Sequence, residues 1–187
     1  VAGGAQPIYN ADDSLAIIFN GEIYNFADLR PDLEARGYRF KTQSDTEVLL
    51  HLFEEYGPAA WHRLAGMFAF AIWDRSKRRL RIVRDRFGVK PLYYAAGPGW
   101  FAFASEMKSL AAIPQLALTV EPRAIDDYLG LRYVPGPGSL FKEIKKLPAG
   151  SEIVVEADGR FAISRWYEPE LHEGPWPKSD ADYLEGF

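Results

Sequence analysis

At 187 residues, 48% hydrophobic and 26% charged, the chain can bury one sizeable core and is too short for two large domains. A net charge of −4 speaks against the basic footprint of a nucleic-acid surface, and the short runs Lys77-Arg78-Arg79 and Lys145-Lys146 read as solvated turns or strand ends. There is no cysteine, which removes disulfides, zinc ribbons and thiol chemistry from these residues, and the longest apolar stretch, residues 67–73, is far too short to span a bilayer.

Leu15-Ala16-Ile17-Ile18-Phe19 is a continuous apolar run, which predicts a buried strand closing in a tight turn at Asn20-Gly21, with Ile23-Tyr24 as its partner. Asn25 is placed to cap a helix carrying Phe26, Leu29 and Leu33 on one face and ending before Gly37, with Pro31 kinking or delaying it. Ser44-Asp45-Thr46-Glu47 has the capping-box form, and Val48, Leu49, Leu52, Phe53 and Tyr56 follow at helical spacing until Gly57.

Residues 67–73 set Phe68, Phe70 and Ile72 against Ala69 and Ala71, the pattern of a strand covered on both faces. Residues 80–83 pair with it across a charged turn. Residues 91–95 and 100–104 form a hairpin around Gly97-Pro98-Gly99, and Ser105 opens a short helix. Pro122 suits the first turn of a helix reaching Leu129. Residues 152–156 and 161–165 flank Asp158-Gly159, a favoured hairpin pair. From Glu168 to Asp180 the chain turns polar and aperiodic, like a linker, and a new helix is expected to begin at Ser179 or Asp180. Strands with helices on both sides make an α/β layered sandwich, without saying which one.

His51, His62 and His172 lack metal-ligand spacing, so no metal site is expected, and His51 is read as a surface member of its helix. No nucleophile-elbow pattern surrounds Ser105. No signal peptide opens the chain, and a cytoplasmic location is expected. Val1 in place of Met suggests that the natural N-terminus lies upstream.

Four segments together resemble the class II glutamine amidotransferases of the asparagine synthetase branch: residues 19–25 (Phe-Asn-Gly-Glu-Ile-Tyr-Asn), 44–48 (Ser-Asp-Thr-Glu-Val), 84–94 (Arg-Asp-Arg-Phe-Gly-Val-Lys-Pro-Leu-Tyr-Tyr) and 103–108 (Phe-Ala-Ser-Glu-Met-Lys). Residues 133–137 and 144–150 are similar to that family's connection toward its second domain. Their order over residues 3–167 makes the resemblance specific. It implies the Ntn-hydrolase fold, an α/β (α+β) four-layer αββα sandwich of two antiparallel sheets, here lacking its N-terminal strand. It further implies a glutaminase domain at 1–167, followed at 168–187 by the linker and start of an ATP-dependent synthetase domain.

The family's nucleophile is an N-terminal cysteine, whose own α-amine acts as base. By resemblance it would lie upstream of Gly3-Gly4, so the chain as given is expected to be inactive. Asn20 and Gly21 match the oxyanion pair, a side-chain NH₂ and a backbone N–H aimed at one oxygen. The competing reading of Asn-Gly is a plain hairpin turn. Asp45 matches the carboxylate that holds the α-ammonium of glutamine, and helix capping competes for it. Glu22 is expected to line the pocket. Arg84, Asp85, Lys90, Ser105, Glu106 and Lys108 are expected to fix loops and the domain contact. The implied partners are glutamine and the synthetase domain, with no nucleic acid and no membrane. Oligomeric state stays open, a homodimer among the options. No cofactor is expected in this domain, with ATP and magnesium belonging to the synthetase domain. The alternative is a non-catalytic scaffold, as in β-lactam-synthetase-like relatives.

Overall fold

A computed structural model of the chain describes residues 5–170. The helix expected near Ser179 and most of the expected linker lie outside the described residues.

The layers follow from β3 (Gly66–Asp74), whose alternating side chains meet two different environments. Phe68, Phe70 and Ile72 join a core shared with the helices α1 (Phe26–Ala35) and α2 (Asp45–Tyr56). Ala69 and Ala71 face the other way, into a core that lies between two sheets. Large residues thus meet the helices, and alanines let the sheets approach. The doubly apolar strand predicted from residues 67–73 is present.

Six strands make the first sheet, in the order β1 (Ile8–Tyr9), β2 (Leu15–Ile23), β3, β4 (Arg79–Arg84), β8 (Ser151–Val155) and β9 (Phe161–Arg165). The second sheet is β6 (Trp100–Ala104), β5 (Tyr93–Gly97) and β7 (Lys145–Lys146). All pairings are antiparallel. On the outer face of the second sheet, Ala95 and Ile144 pack with Leu110 of α3 (Met107–Ala111). Three cores between four layers give an αββα sandwich. The helix α4 (Pro122–Leu131) follows α3. Among the described residues no helix is long and apolar enough to cross a membrane.

The Asn20-Gly21 turn is not found. β2 runs unbroken through both residues, in register with β3 from Leu15↔Asp74 to Ile23↔Gly66. The glycines serve the contact between these strands. A Cβ on Gly21 would lie 2.2 Å from the Met67 carbonyl oxygen, and one on Gly66 would lie 2.2 Å from that of Glu22. The chain reverses instead between β1 and β2, where Asn10 accepts the Leu15 N–H through its side chain. β1 itself was not anticipated.

Helix α1 runs through Pro31 and ends in a Schellman arrangement, with Gly37 N–H on Glu34 and Tyr38 N–H on Leu33. Asn25 does not cap it by side chain. Its amide instead accepts from Ala65 N–H and donates to the Arg63 carbonyl, tying the end of β2 to the approach to β3.

The capping box at α2 is only half formed. Ser44 Oγ accepts the Thr46 N–H, but Glu47 turns away from Ser44. Its carboxylate accepts from Lys41 N–H (2.8 Å), Thr42 N–H (2.7 Å) and the Thr42 hydroxyl (2.6 Å), clamping the incoming loop to the helix. Burial raises the carboxyl pKa, but these donors outweigh it and the net shift is downward. Residues Thr46–Phe53 are all buried, so α2 is covered nearly all round. His51 is therefore not at the surface. It is 5% exposed, between the rings of Tyr38 and Phe40, with Nδ1 3.2 Å from Glu54.

Two outcomes test this packing. Gly66→Ala should cost about 2–3 kcal/mol in urea unfolding, because backbone must move to admit the methyl group; an unchanged midpoint would contradict the close approach of β2 and β3. Glu47 has its pKa lowered by folding, so its stabilisation is complete above the unfolded value of 4.5 and is lost as pH falls through the lower folded value. Glu47→Gln should flatten the acid limb of the stability profile below about pH 4.5, and an acid limb as steep as the wild type would reject the clamp.

Candidate active site

Ladder geometry decides where the backbone of β2 points. Glu22, Asn20 and Ile18 direct their N–H and C=O toward β3, as does Tyr24, whose N–H reaches the Ala65 carbonyl. Phe19, Gly21 and Ile23 direct theirs to the opposite edge. β1 covers only Ile17 and Ala16 there. Beyond it, the Gln6 side-chain amide continues the ladder, accepting from Phe19 N–H (2.6 Å) and donating to the Phe19 carbonyl (2.9 Å). At the other end of the edge, Ile23 N–H donates to Asp45 Oδ2 at 3.0 Å. Gly21 stands between these two fastened residues, with each neighbouring N–H roughly 7 Å away at the repeat of an extended strand. No described side chain bonds to the Gly21 N–H or C=O.

Asn20 projects on the face of Ala69, toward the second sheet. It is exposed, and its Nδ2 donates to Ser105 Oγ at 3.1 Å. A carboxamide NH₂ has two hydrogens, so this bond orients the group and leaves one donor for another acceptor. The residue borders a cavity of about 250 Å³ between the sheets, lined also by Ile18, Ala71, Leu92, Phe103 and Ser105. Asp45 arrives from the helical layer. Besides Ile23, its carboxylate has only 3.4 Å contacts, with the Ser44 and Thr46 hydroxyls, and it remains partly exposed.

Gly21 and Asp45 thus share one edge of β2, whereas the Asn20 side chain reaches out from the face turned to the second sheet. Glu22 is different: it is exposed, lines no cavity described above, and its carboxylate makes no hydrogen bond to a described residue. Gly21 is at φ +155, and the strand it touches is what forbids a side chain there. Gln6 was missed by sequence reasoning. A lone glutamine ahead of a proline carries no signal that its amide will imitate a strand.

Asp85 and Arg84 organise the neighbouring loops. Asp85 is buried and accepts four backbone N–H groups, from Phe68, Phe87, Val89 and Lys90. Arg84 donates to the carbonyls of Gly88, Lys90 and Leu147. Ser105 Oγ has only Asn20 as a hydrogen-bond partner among the described residues, with no base beside it. Among the described residues no group of three or more His, Asp or Glu side chains could hold a metal ion.

A profile of the glutamine amidotransferase domain matches residues 1–167. The glutamine-hydrolysing asparagine synthetase 1 of Bacillus subtilis (strain 168) is 42% identical over 168 residues, 90% of this chain and 26% of its own length. A putative glutamine-hydrolysing asparagine synthetase of Mycobacterium bovis is 38% identical over 184 residues, 94% of this chain and 28% of its own. The chain therefore spans little more than a quarter of these relatives. The solved structure of the allosteric regulatory enzyme of purine biosynthesis is 22% identical with a TM-score of 0.63, covering 88% of this chain and 31% of its own, a likeness of fold. The glutamine phosphoribosylpyrophosphate amidotransferase from B. subtilis gives a TM-score of 0.60 at 22% identity, over 88% and 32%. The sandwich, the segments that carry the resemblance and the match over residues 1–167 agree: the chain belongs to the glutamine amidotransferase domain family, alongside the glutaminase domains of asparagine synthetases.

Proposed function

We propose that this domain hydrolyses glutamine to glutamate and ammonia, as the glutaminase half of an asparagine-synthetase-like enzyme. The observation that carries the reading is one strand edge with an outward N–H at Gly21, the Asn20 carboxamide one residue before it and the Asp45 carboxylate at Ile23. Asn20 and Gly21 donate to the oxygen that becomes charged when the carboxamide carbon turns tetrahedral. Asp45 keeps unused lone pairs for the α-ammonium of the same molecule. Glu22 lies next along the strand and is assigned to the mouth of the pocket.

The nucleophile is the cysteine that the family resemblance implies, with its α-amine as base. Its thiolate bonds to the carboxamide carbon, ammonia leaves, and water cleaves the thioester. No residue of the 187 supplies that thiol, so we expect no glutaminase activity from this chain alone. ATP and magnesium belong to the synthetase half, which on this reading converts aspartate to asparagine with the ammonia. A cytoplasmic location goes with the same reading.

In the polypeptide that carries the cysteine, Asn20→Ala should lower glutamine turnover by about 10²–10³-fold (about 3–4 kcal/mol), with KM much less affected. Unchanged turnover would reject the oxyanion assignment. Asp45→Asn keeps an oxygen for Ile23 N–H and removes the charge, so it should raise the KM for glutamine while leaving kcat nearly intact. A KM equal to the wild type would exclude Asp45 as the ammonium clamp.

A further inference from the structure

The hydroxyl of Ser105 serves neither the strand it follows nor the helix it precedes. α3 starts at Met107, behind Glu106, with no side-chain cap. Strand parity explains where Ser105 points instead. Along β6, Trp100, Ala102 and Ala104 pack into the core on the outer face of the second sheet, while Phe101 and Phe103 enter the core between the sheets. Ser105 continues the inward set and borders the intersheet cavity beside Phe103. On β2, Asn20 lies opposite Ala69, whose side chain enters the same intersheet core. Two short polar side chains from different sheets therefore meet, Asn20 Nδ2 on Ser105 Oγ at 3.1 Å, 85 residues apart along the chain.

This bond has no substitute close by. Ile18, Ala71, Leu92 and Phe103 wall most of the cavity, and among the described residues Gln6 is its one other side chain able to hydrogen-bond. Both ends of the Gln6 amide are committed to Phe19. Ser105 is also the only hydrogen-bond partner of the exposed Asn20 carboxamide among the described residues. Without it, the last torsion of Asn20 is broad and two-fold, with little to choose between its ends. One of those ends is an oxygen, whose lone pairs repel a developing oxyanion. Ser105 itself is held from two directions: β6 pairs with β5 as far as Ala104, and Leu110 of α3 is buried against the second sheet.

We propose that Ser105 is a positioning residue for glutamine hydrolysis: its Oγ accepts one hydrogen of Asn20 Nδ2 from across the sandwich, which keeps the other hydrogen on the oxygen that becomes charged. The second sheet thereby sets the direction of a donor carried by the first. The inference rests on the oxyanion role proposed above for Asn20. Asn20→Ala, Ser105→Ala, Ser105→Thr and the Asn20→Ala/Ser105→Ala double variant are compared in the cysteine-bearing polypeptide, with kcat and KM for glutamine measured separately. Ser105→Ala should lower kcat about 3–10-fold, the effect of one neutral hydrogen bond, and leave KM unchanged, because Asp45 holds the other end of the molecule. Ser105→Thr keeps the hydroxyl and should recover most of that loss. In the Asn20→Ala background, removing the Ser105 hydroxyl should change nothing further. Wild-type kcat in Ser105→Ala, a loss that multiplies onto that of Asn20→Ala, a raised KM, or a threonine variant as slow as the alanine one would each overturn the proposal. If any of these accompanies a slow Asn20→Ala enzyme, the oxyanion reading survives and only Ser105 loses its role. Wild-type turnover in Asn20→Ala removes both.

Discussion

The edge of β2 that no described strand covers beyond β1 is the constraint from which the proposed site follows. A strand paired on one side must send every second N–H to the other, and beyond β1 that other side is fastened, among the described residues, at only two. The Gln6 amide holds Phe19 and the Asp45 carboxylate holds Ile23. Between them the Gly21 N–H is aimed outward by the ladder itself, so its direction needs no reorganisation when an acceptor develops charge. Because Gly21 has no Cβ, β3 can lie against it, and that contact fixes the donor from behind.

The loops at residues 84–91 support the same point from the far side of β3. Asp85 accepts the N–H of Phe68, and Phe68 is the residue opposite Gly21. Its three other backbone donors lie in the following loop, and Arg84 gathers carbonyls from that loop and from the segment before β8. One buried carboxylate and one guanidinium thus tie the first sheet to the second behind the site. These charges hold main chain, and no described strand covers the Gly21 edge, which the proposed function assigns to the substrate.

Much of this was legible because the signals are local. The contrast between phenylalanines and alanines in β3 announces two different covering layers, and Asp158-Gly159 marks a hairpin that forms between β8 and β9. The misreadings share a cause: tertiary contacts that short windows cannot contain. Asn20-Gly21 has the composition of a turn, but its glycine is required by a neighbouring strand 47 residues away at Phe68, 68 − 21 along the chain. His51 reads as a surface residue until Tyr38 and Phe40 fold over the helix. Glu47 fits the capping box by spacing and is captured by Lys41 and Thr42 instead. Of the proposed site, Asn20, Gly21 and Asp45 were named through a resemblance, while Gln6 came into view only once its amide was seen on Phe19.

The most direct measurement is the amide resonance of Gly21 in the cysteine-bearing polypeptide, followed as an aldehyde analogue of glutamine forms its tetrahedral adduct. A donor that meets the new oxyanion should move strongly downfield, while Ile23, already bonded to Asp45, stays nearly fixed. A Gly21 resonance that does not respond to an adduct proven by mass would contradict the claim that this edge stabilises the reacting oxygen.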